Sequence, residues 1–202
     1  MKTNYESAKK YIDLKRGHAE ESLCGGGSWK KNAVDAKEFI QEKIDLYDYE
    51  TILDLGCGDW NWMNEIDFRG AKYLGIDCDA EMIYDNLVNY AKNGISFKVS
   101  DIFSMDLPEA DLVICRDVLF HVRLELGCSL VEKLLNRSRL HFISTSFNQQ
   151  KQNQDPRPYT KIKDWGFYRI NLMKDPFYLE DFLIDTREES KIPGRSINLF
   201  YL

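Results

Sequence analysis

Short hydrophobic runs alternate with amphipathic stretches along most of this chain. Residues 50–55, 71–76, 96–99, 110–115 and 140–144 read as five strands, several bounded by Gly, Asp or Asn. Residues 32–45 place Val34, Phe39, Ile40 and Ile44 at helical spacing. Residues 81–92 carry an apolar stripe of Met82, Ile83, Leu87 and Tyr90, and residues 128–136 carry Leu130, Val131, Leu134 and Leu135. A short helix is predicted over residues 61–66, and another over the mixed, charged residues 5–20. Repeated strand–helix–strand units predict an α/β fold with a doubly wound, mostly parallel sheet. The tail differs. Residues 182–187 and 196–202 are strand-like runs flanking Pro193-Gly194, which predicts an antiparallel hairpin closing the sheet. Residues 147–178, rich in Asn, Gln, Lys, Pro and aromatics, form a long connection of the kind that covers sites.

A chain of 202 residues suits one domain. Within residues 1–202 the expected parts are an N-terminal helical cap (1–45), a cofactor-binding core (46–146), a substrate lid (147–178) and the closing hairpin (179–202). A net charge of −6 argues against a protein that coats nucleic acid or an anionic membrane. No apolar run has membrane-spanning length, and residues 1–10 lack a signal-peptide core. The five cysteines are odd in number and contain no CxxC pair. A disulfide framework or zinc site is therefore not expected, and a cytoplasmic location is.

The chemistry begins at residues 51–58, Thr-Ile-Leu-Asp-Leu-Gly-Cys-Gly. A buried strand holding Asp54 feeds a turn in which Gly56 and Gly58 let the backbone approach a ligand. A helix after that turn is expected to aim free amides at the ligand. Asp77 ends the second strand about 20 residues on, where a carboxylate accepts from vicinal ribose hydroxyls. Asp101 follows the third strand and can accept from an adenine amino group, with Ile102 packed on the ring. Arg116 and Asp117 close the fourth strand. A lone strand-end acid is commonly a helix cap. Acids at three successive strand ends point instead to a nucleoside cofactor.

With these motifs the chain resembles the class I S-adenosylmethionine-dependent methyltransferases over nearly all of residues 24–202. Residues 53–58 resemble the glycine-rich cofactor loop. Gly75-Ile76-Asp77 resembles the ribose segment, Ser100-Asp101-Ile102 the adenine segment, and residues 111–115 the fourth strand leading to the methyl-transfer site. A narrower subgroup is more similar still. It shares the segment Gly25-Gly26-Gly27-Ser28, the tryptophan-containing residues 58–63, the block 115–121, and a motif like residues 166–172 followed by Pro176-Phe177. The resemblance implies a strand order of 3-2-1-4-5-7-6 and S-adenosylmethionine as cofactor. It implies cofactor contacts at Ser28, Trp29, Asp54, Gly56, Cys57, Gly58, Trp62, Asp77, Cys78, Asp101, Ile102 and Arg116. Where the family often has a third glycine this chain has Trp60, whose indole either lines the pocket or packs in the core.

Methyl transfer from a sulfonium is an in-line displacement that asks the enzyme for alignment and a dry site. An alcohol acceptor also needs a base. Asp117 and His121 lie just past strand four. Their spacing of four puts them on one face if the segment is helical, with His121 as base and Asp117 orienting it or the acceptor. The other reading of His121 is a hydrogen-bonded structural residue. Arg116 either binds the cofactor carboxylate or pairs with Asp117. Lys151, Arg157, Lys161, Lys163 and Arg169, interleaved with Tyr159, Trp165, Phe167 and Tyr168, suit a phosphate or carboxylate on the acceptor. Tyr168, Arg169 and Asn171 belong to the resembling motif and are the expected acceptor-binding residues. His18 and His141 have no partners at metal-ligand spacing, His141 reads as structural, and no metal is expected.

The leading expectation is transfer to oxygen or nitrogen of a small-molecule or sugar-containing acceptor, with phosphorylated acceptors included. A nucleic-acid methyltransferase is the nearest alternative. The negative charge disfavours it, as does the absence of an Asn/Asp-Pro-Pro-Tyr/Phe motif after strand four. A non-catalytic cofactor-binding module and a dehydrogenase are further alternatives, the last disfavoured by the single closing hairpin.

Overall fold

A computed structural model describes residues 21–153 and 168–202. The helix expected over residues 5–20, with His18, and the lid residues Arg157, Tyr159, Lys161, Lys163, Trp165 and Phe167 lie outside the described residues.

The sheet is built from β1 (Thr51–Leu55), β2 (Lys72–Asp77), β3 (Ile95–Val99), β4 (Leu112–Cys115), β5 (His141–Ser146), β6 (Leu183–Glu188) and β7 (Ser196–Tyr201). Its seven strands follow the order 3-2-1-4-5-7-6. The first five are mutually parallel, while β7 runs antiparallel to both β5 and β6. Both the expected order and the closing hairpin are therefore observed. β4 is buried at every position, as a central parallel strand covered on both faces should be. β1 shares its side chains between the faces: Ile52 points to one hydrophobic cluster, Leu53 and Leu55 to the other.

One face is covered by α1 (Val34–Leu46) and by residues 60–68. The buried positions of α1 are Ala36, Phe39, Ile40, Lys43 and Ile44, a helical stripe interrupted by one lysine. The Lys43 ammonium bridges Glu42 at 2.7 Å and Asp185 of β6 at 2.5 Å, tying α1 to the hairpin. The other face is covered by α3 (Leu124–Leu135) and residues 168–179. α3 starts four residues before the expected 128, and Gly127 lets the Phe177 ring approach it.

Two expected helices change. Residues 61–66 do not form an α-helix; only Met63–Glu65 makes one 3₁₀ turn. Trp60 has φ 55, and the polar side chains here bond to nearby backbone: Asn64 Nδ2 donates to the carbonyls of Trp60 and Asn61, and Asp59 accepts from the Asn61 amide. α2 (Ala80–Asn89) ends earlier than expected, and its buried face is Met82, Ile83 and Asn86. Leu87 is 44% exposed instead. Asn86 faces inward, and its Nδ2 donates to the Gly58 carbonyl at 2.7 Å, so its buried amide is satisfied.

Candidate active site

The carboxyl ends of β1, β2, β3 and β4 share one rim, and the chain leaves β1 towards β2 on one side while β4 lies on the other. Open parallel sheets bind ligands at such a reversal of strand order. The rim gathers the turn at Gly56–Gly58, Asp77 and Cys78, Asp101 and Ile102, and Arg116 and Asp117.

The glycine turn is shaped by its contacts. Gly56 has φ 79 and Gly58 φ 60, conformations that favour glycine. A Cβ on Gly56 would lie 2.4 Å from Val118 Cγ2, and one on Gly58 2.5 Å from Cys24 Sγ. The amides of Gly56 and Cys57 both donate to the Ile76 carbonyl, at 2.8 and 3.1 Å. The expected cradle of free helix amides is therefore replaced: between the turn and β2 there is only the 3₁₀ turn Met63–Glu65, and these two amides serve the strand next door.

Asp77 joins the turn to α2. Its Oδ2 accepts from the Gly58 amide at 3.1 Å and its Oδ1 from the Asp79 amide at 3.0 Å. Asp79 caps α2 by accepting from the Met82 amide at 2.7 Å. Burial pushes the Asp77 carboxyl up despite those bonds. Cys78 is half-buried beside it, and burial raises its thiol. Asp101 accepts from the Phe103 amide at 2.9 Å, which turns the chain after β3, and Ile102 is buried against the sheet. Asp54 lies within β1 and is buried. Its Oδ2 accepts from the Tyr73 hydroxyl at 2.6 Å, and burial pushes its carboxyl up to about 7.

Beyond β4, Arg116 and Asp117 enter a ring of buried charge. Asp117 Oδ2 lies 3.0 Å from Arg116 Nη1 and 2.8 Å from Arg195 Nη1. Arg116 Nε lies 3.4 Å from Glu189 Oε1, and Arg195 Nη2 pairs with Glu189 Oε2. Asp117 has φ 58, and its Oδ1 accepts from the Thr145 hydroxyl at 2.9 Å. Burial opposes its ionisation, but Arg116, Arg195 and Thr145 outweigh that and hold the carboxyl below its usual range. The Arg116 guanidinium also stacks 5.1 Å from the Trp62 ring and donates to the Gly27 carbonyl at 3.1 Å. Both sequence readings of Arg116 stay compatible with this: it pairs with Asp117 and faces the glycine segment. Arg195 and Glu189 were not singled out in the sequence.

The segment 22–29 crosses the rim. Leu23 donates its amide to Asp59, Cys24 packs on Gly58, and Gly27 packs on Asp117 and Arg195. The Ser28 carbonyl accepts from Asn61, and Lys31 stands over the half-buried Trp29 ring. Cys57 lies against Gly75 of β2, where a Cβ would meet its sulfur at 2.9 Å.

Several expected site residues serve the scaffold. The Trp60 ring packs in the core among Phe68, Tyr73, Tyr90 and Phe97, with centroids 5.0–6.1 Å away, so the pocket-lining reading gives way to the packing one. Asn171 is buried and spends its side chain on loops: Nδ2 donates to the carbonyls of Asn148 and Gln150, and Oδ1 accepts from Met173. Tyr168 is buried too, with its hydroxyl donating to the Val122 carbonyl at 2.6 Å. Of the three expected acceptor-binding residues, Arg169 alone is exposed, 5.6 Å from the Phe147 ring. Residues 117–121 are not an α-helix; Leu119–His121 makes a 3₁₀ turn, so the four-residue spacing does not create a shared helical face. His121 is half-buried, its ring 4.6 Å from that of Phe120, and close enough for its charge to act on Asp117. His141 is structural, as expected: its Nδ1 shares a 2.8 Å hydrogen bond with the Tyr49 hydroxyl. All five cysteines are free thiols. Among the described residues no helix is long and apolar enough to cross a membrane.

Comparison with known proteins agrees with this fold. A family model described as a methyltransferase domain matches residues 47–183. No curated protein matches the sequence. Among solved structures, N-methyltransferase NodS from Bradyrhizobium japonicum WM9, in complex with S-adenosyl-L-homocysteine, superposes with a TM-score of 0.64 at 12% identity, over 99% of this chain and 98% of that one. Burkholderia thailandensis 1,6-didemethyltoxoflavin-N1-methyltransferase, with 1,6-didemethyltoxoflavin and S-adenosylhomocysteine bound, gives 0.66 at 13% identity over 98% and 86%. Human N-acetylserotonin methyltransferase in complex with SAM gives 0.57 at 16% identity over 98% of this chain. The chain spans 65% of that human protein and 56% of another structural relative, PigF. At these identities the likeness is one of fold.

Proposed function

The chain belongs to the methyltransferase-domain family, and we propose that it transfers the methyl group of S-adenosylmethionine to an oxygen or nitrogen of a small-molecule or sugar-containing acceptor. The observation that carries this reading is the convergence of Asp77, Asp101 and the Arg116–Asp117 pair on one rim of the parallel sheet. Asp77 keeps lone pairs for the two ribose hydroxyls after accepting its two backbone amides. Asp101 serves the adenine amino group, and Gly56 and Gly58 give the turn beside them the left-handed conformations it needs. When bound, the cofactor supplies a methyl group already activated on a sulfonium. This chain's residues orient the acceptor, exclude water and take up its proton.

His121 is the proposed base. It stands past β4 beside Asp117, which stays ionised and acts as a hydrogen-bond acceptor rather than an acid. Arg169 is the proposed contact for an anionic group on the acceptor. The relatives support a small acceptor: one structure holds 1,6-didemethyltoxoflavin, and another is of an N-acetylserotonin methyltransferase.

Calorimetric titration with S-adenosylhomocysteine, with NAD as control, tests the cofactor. Micromolar binding of the first and none of the second is expected. Absence of binding to either would remove the methyltransfer reading. Once an acceptor is found by screening sugars and phosphorylated metabolites, His121→Ala is expected to lower turnover by about a hundredfold. Turnover within a few-fold of wild type would exclude His121 as an essential base.

A further inference from the structure

We infer that Arg195 and Glu189, from the closing hairpin, are positioning residues for the amino-acid end of the cofactor. They hold Arg116 and Asp117 as a fixed cation–anion pair against which its α-carboxylate and α-ammonium register. This rests on the cofactor reading above.

Strand order gives the direction. A ribose at Asp77 and an adenine beside Asp101 occupy the ends of β2 and β3. The 5′ arm of the nucleoside then runs the other way, across β1 towards β4. Two strand spacings, about 10 Å, separate β2 from β4, and there the ring of Arg116, Asp117, Arg195 and Glu189 lies. Val118 packs on Gly56, which puts the ring next to the glycine turn. The arm ends in one positive and one negative group, and the ring alternates the same two signs.

The ring has an open side. The side chains of Arg116, Arg195 and Glu189 are 4%, 4% and 0% exposed, whereas that of Asp117 is 14% exposed. It also has more donors than acceptors. Arg195 Nε is buried with no hydrogen-bond partner, a costly state that an incoming carboxylate relieves by redistributing the guanidinium contacts. Asp117 sits at φ 58, a strained conformation for a non-glycine residue that persists only where surrounding contacts enforce it. Arg195 Nη1 and the Thr145 hydroxyl are those contacts. A buried ion ring adds little stability over a well-packed apolar cluster. Holding a hairpin to the sheet does not require this one.

The experiment compares two ligands on the full chain by calorimetry: S-adenosylhomocysteine, and 5′-deoxy-5′-methylthioadenosine, which has the same nucleoside but no amino-acid end. Glu189→Gln, Arg195→Gln and Arg195→Lys are measured beside wild type. In Glu189→Gln and Arg195→Gln the affinity for S-adenosylhomocysteine is expected to fall about tenfold or more, and that for methylthioadenosine by less than about twofold. Arg195→Lys should fall between. If Arg195→Gln does not fold, the nearly isosteric Glu189→Gln and the charge-conserving Arg195→Lys carry the test. Parallel weakening of both ligands, or no change in either, would overturn the inference. A wild type that binds methylthioadenosine as tightly as S-adenosylhomocysteine would overturn it while leaving the nucleoside site intact. Binding of neither would overturn the cofactor reading and the inference with it.

Discussion

Replacing Asp77 with alanine is expected to weaken S-adenosylhomocysteine binding by about a hundredfold or more. The carboxylate stands at a junction of three elements. It ends β2, holds the Gly58 amide of the turn after β1, and holds the Asp79 amide at the start of α2. α2 returns the favour through Asn86, whose Nδ2 grips the Gly58 carbonyl. Alanine therefore removes the proposed ribose acceptors and releases the turn beside them. Each charge-assisted hydrogen bond contributes roughly 1.5–3 kcal/mol, so losing two accounts for the effect. Asp77→Asn keeps one acceptor oxygen and should fall between alanine and wild type. Because burial raises the Asp77 carboxyl, wild-type affinity should begin to fall on acidification at a higher pH than an exposed aspartate would give. Calorimetry checks both points, with a urea melt to establish that the variant is folded. Binding within about fivefold of wild type would remove Asp77 from the site.

The contrast between Asp77 and Asn171 shows what the sequence could and could not carry. Asp77 was legible because its position follows from a periodic signal. A run of strand residues ends, an acid follows, and the parallel topology puts every such end on one rim. The same logic located Asp101, Arg116 and Asp117. Asn171 lies in an irregular segment with no period, so nothing in its neighbourhood says whether its amide faces a ligand or closes a loop. Its partners are the backbone carbonyls of Asn148 and Gln150, which no side-chain pattern reveals. Trp60 was ambiguous for a related reason: an indole after a glycine turn suits a pocket or a core, and only the convergence of Phe68, Tyr73 and Phe97 decides. Arg195 and Glu189 were hidden most thoroughly. They flank Pro193-Gly194, outside both strand-like runs and every motif of the chain. Besides each other, they pair with Asp117 and Arg116, 78 and 73 residues away, at a distance where one sequence holds no pairing signal.

Asp54→Asn is expected to stabilise the protein at pH 8 while weakening its cofactor binding. Asp54 is buried in β1, and burial pushes its carboxyl up to about 7. In the unfolded chain it titrates near 3.9. An acid whose pKa is higher in the fold binds its proton more tightly there. Its favourable contribution is therefore complete below about pH 4 and fades as pH rises towards 7. Above 7 the fold carries a buried carboxylate at a cost of about 4 kcal/mol, taking roughly 1.4 kcal/mol per pH unit between the two values. Asparagine removes the charge, and its Oδ1 still accepts from the Tyr73 hydroxyl. Urea unfolding at pH 8 should accordingly show a gain of about 2–4 kcal/mol, and at pH 4 almost none. The slope of stability between pH 5 and 8 should flatten, what remains being set by Asp77, raised in the same sense, and by His141, which burial lowers and which acts in the opposite sense. The Asp117 carboxyl, held low, contributes in the opposite sense only below this window, so it does not mask the result. An unchanged slope in the variant would show that Asp54 does not titrate in the fold. Asp54 lies two residues before Gly56, next to the proposed cofactor site. If its charge serves the cofactor, the more stable asparagine variant binds S-adenosylhomocysteine more weakly at pH 8, and equal binding would leave the carboxylate without a part in the site.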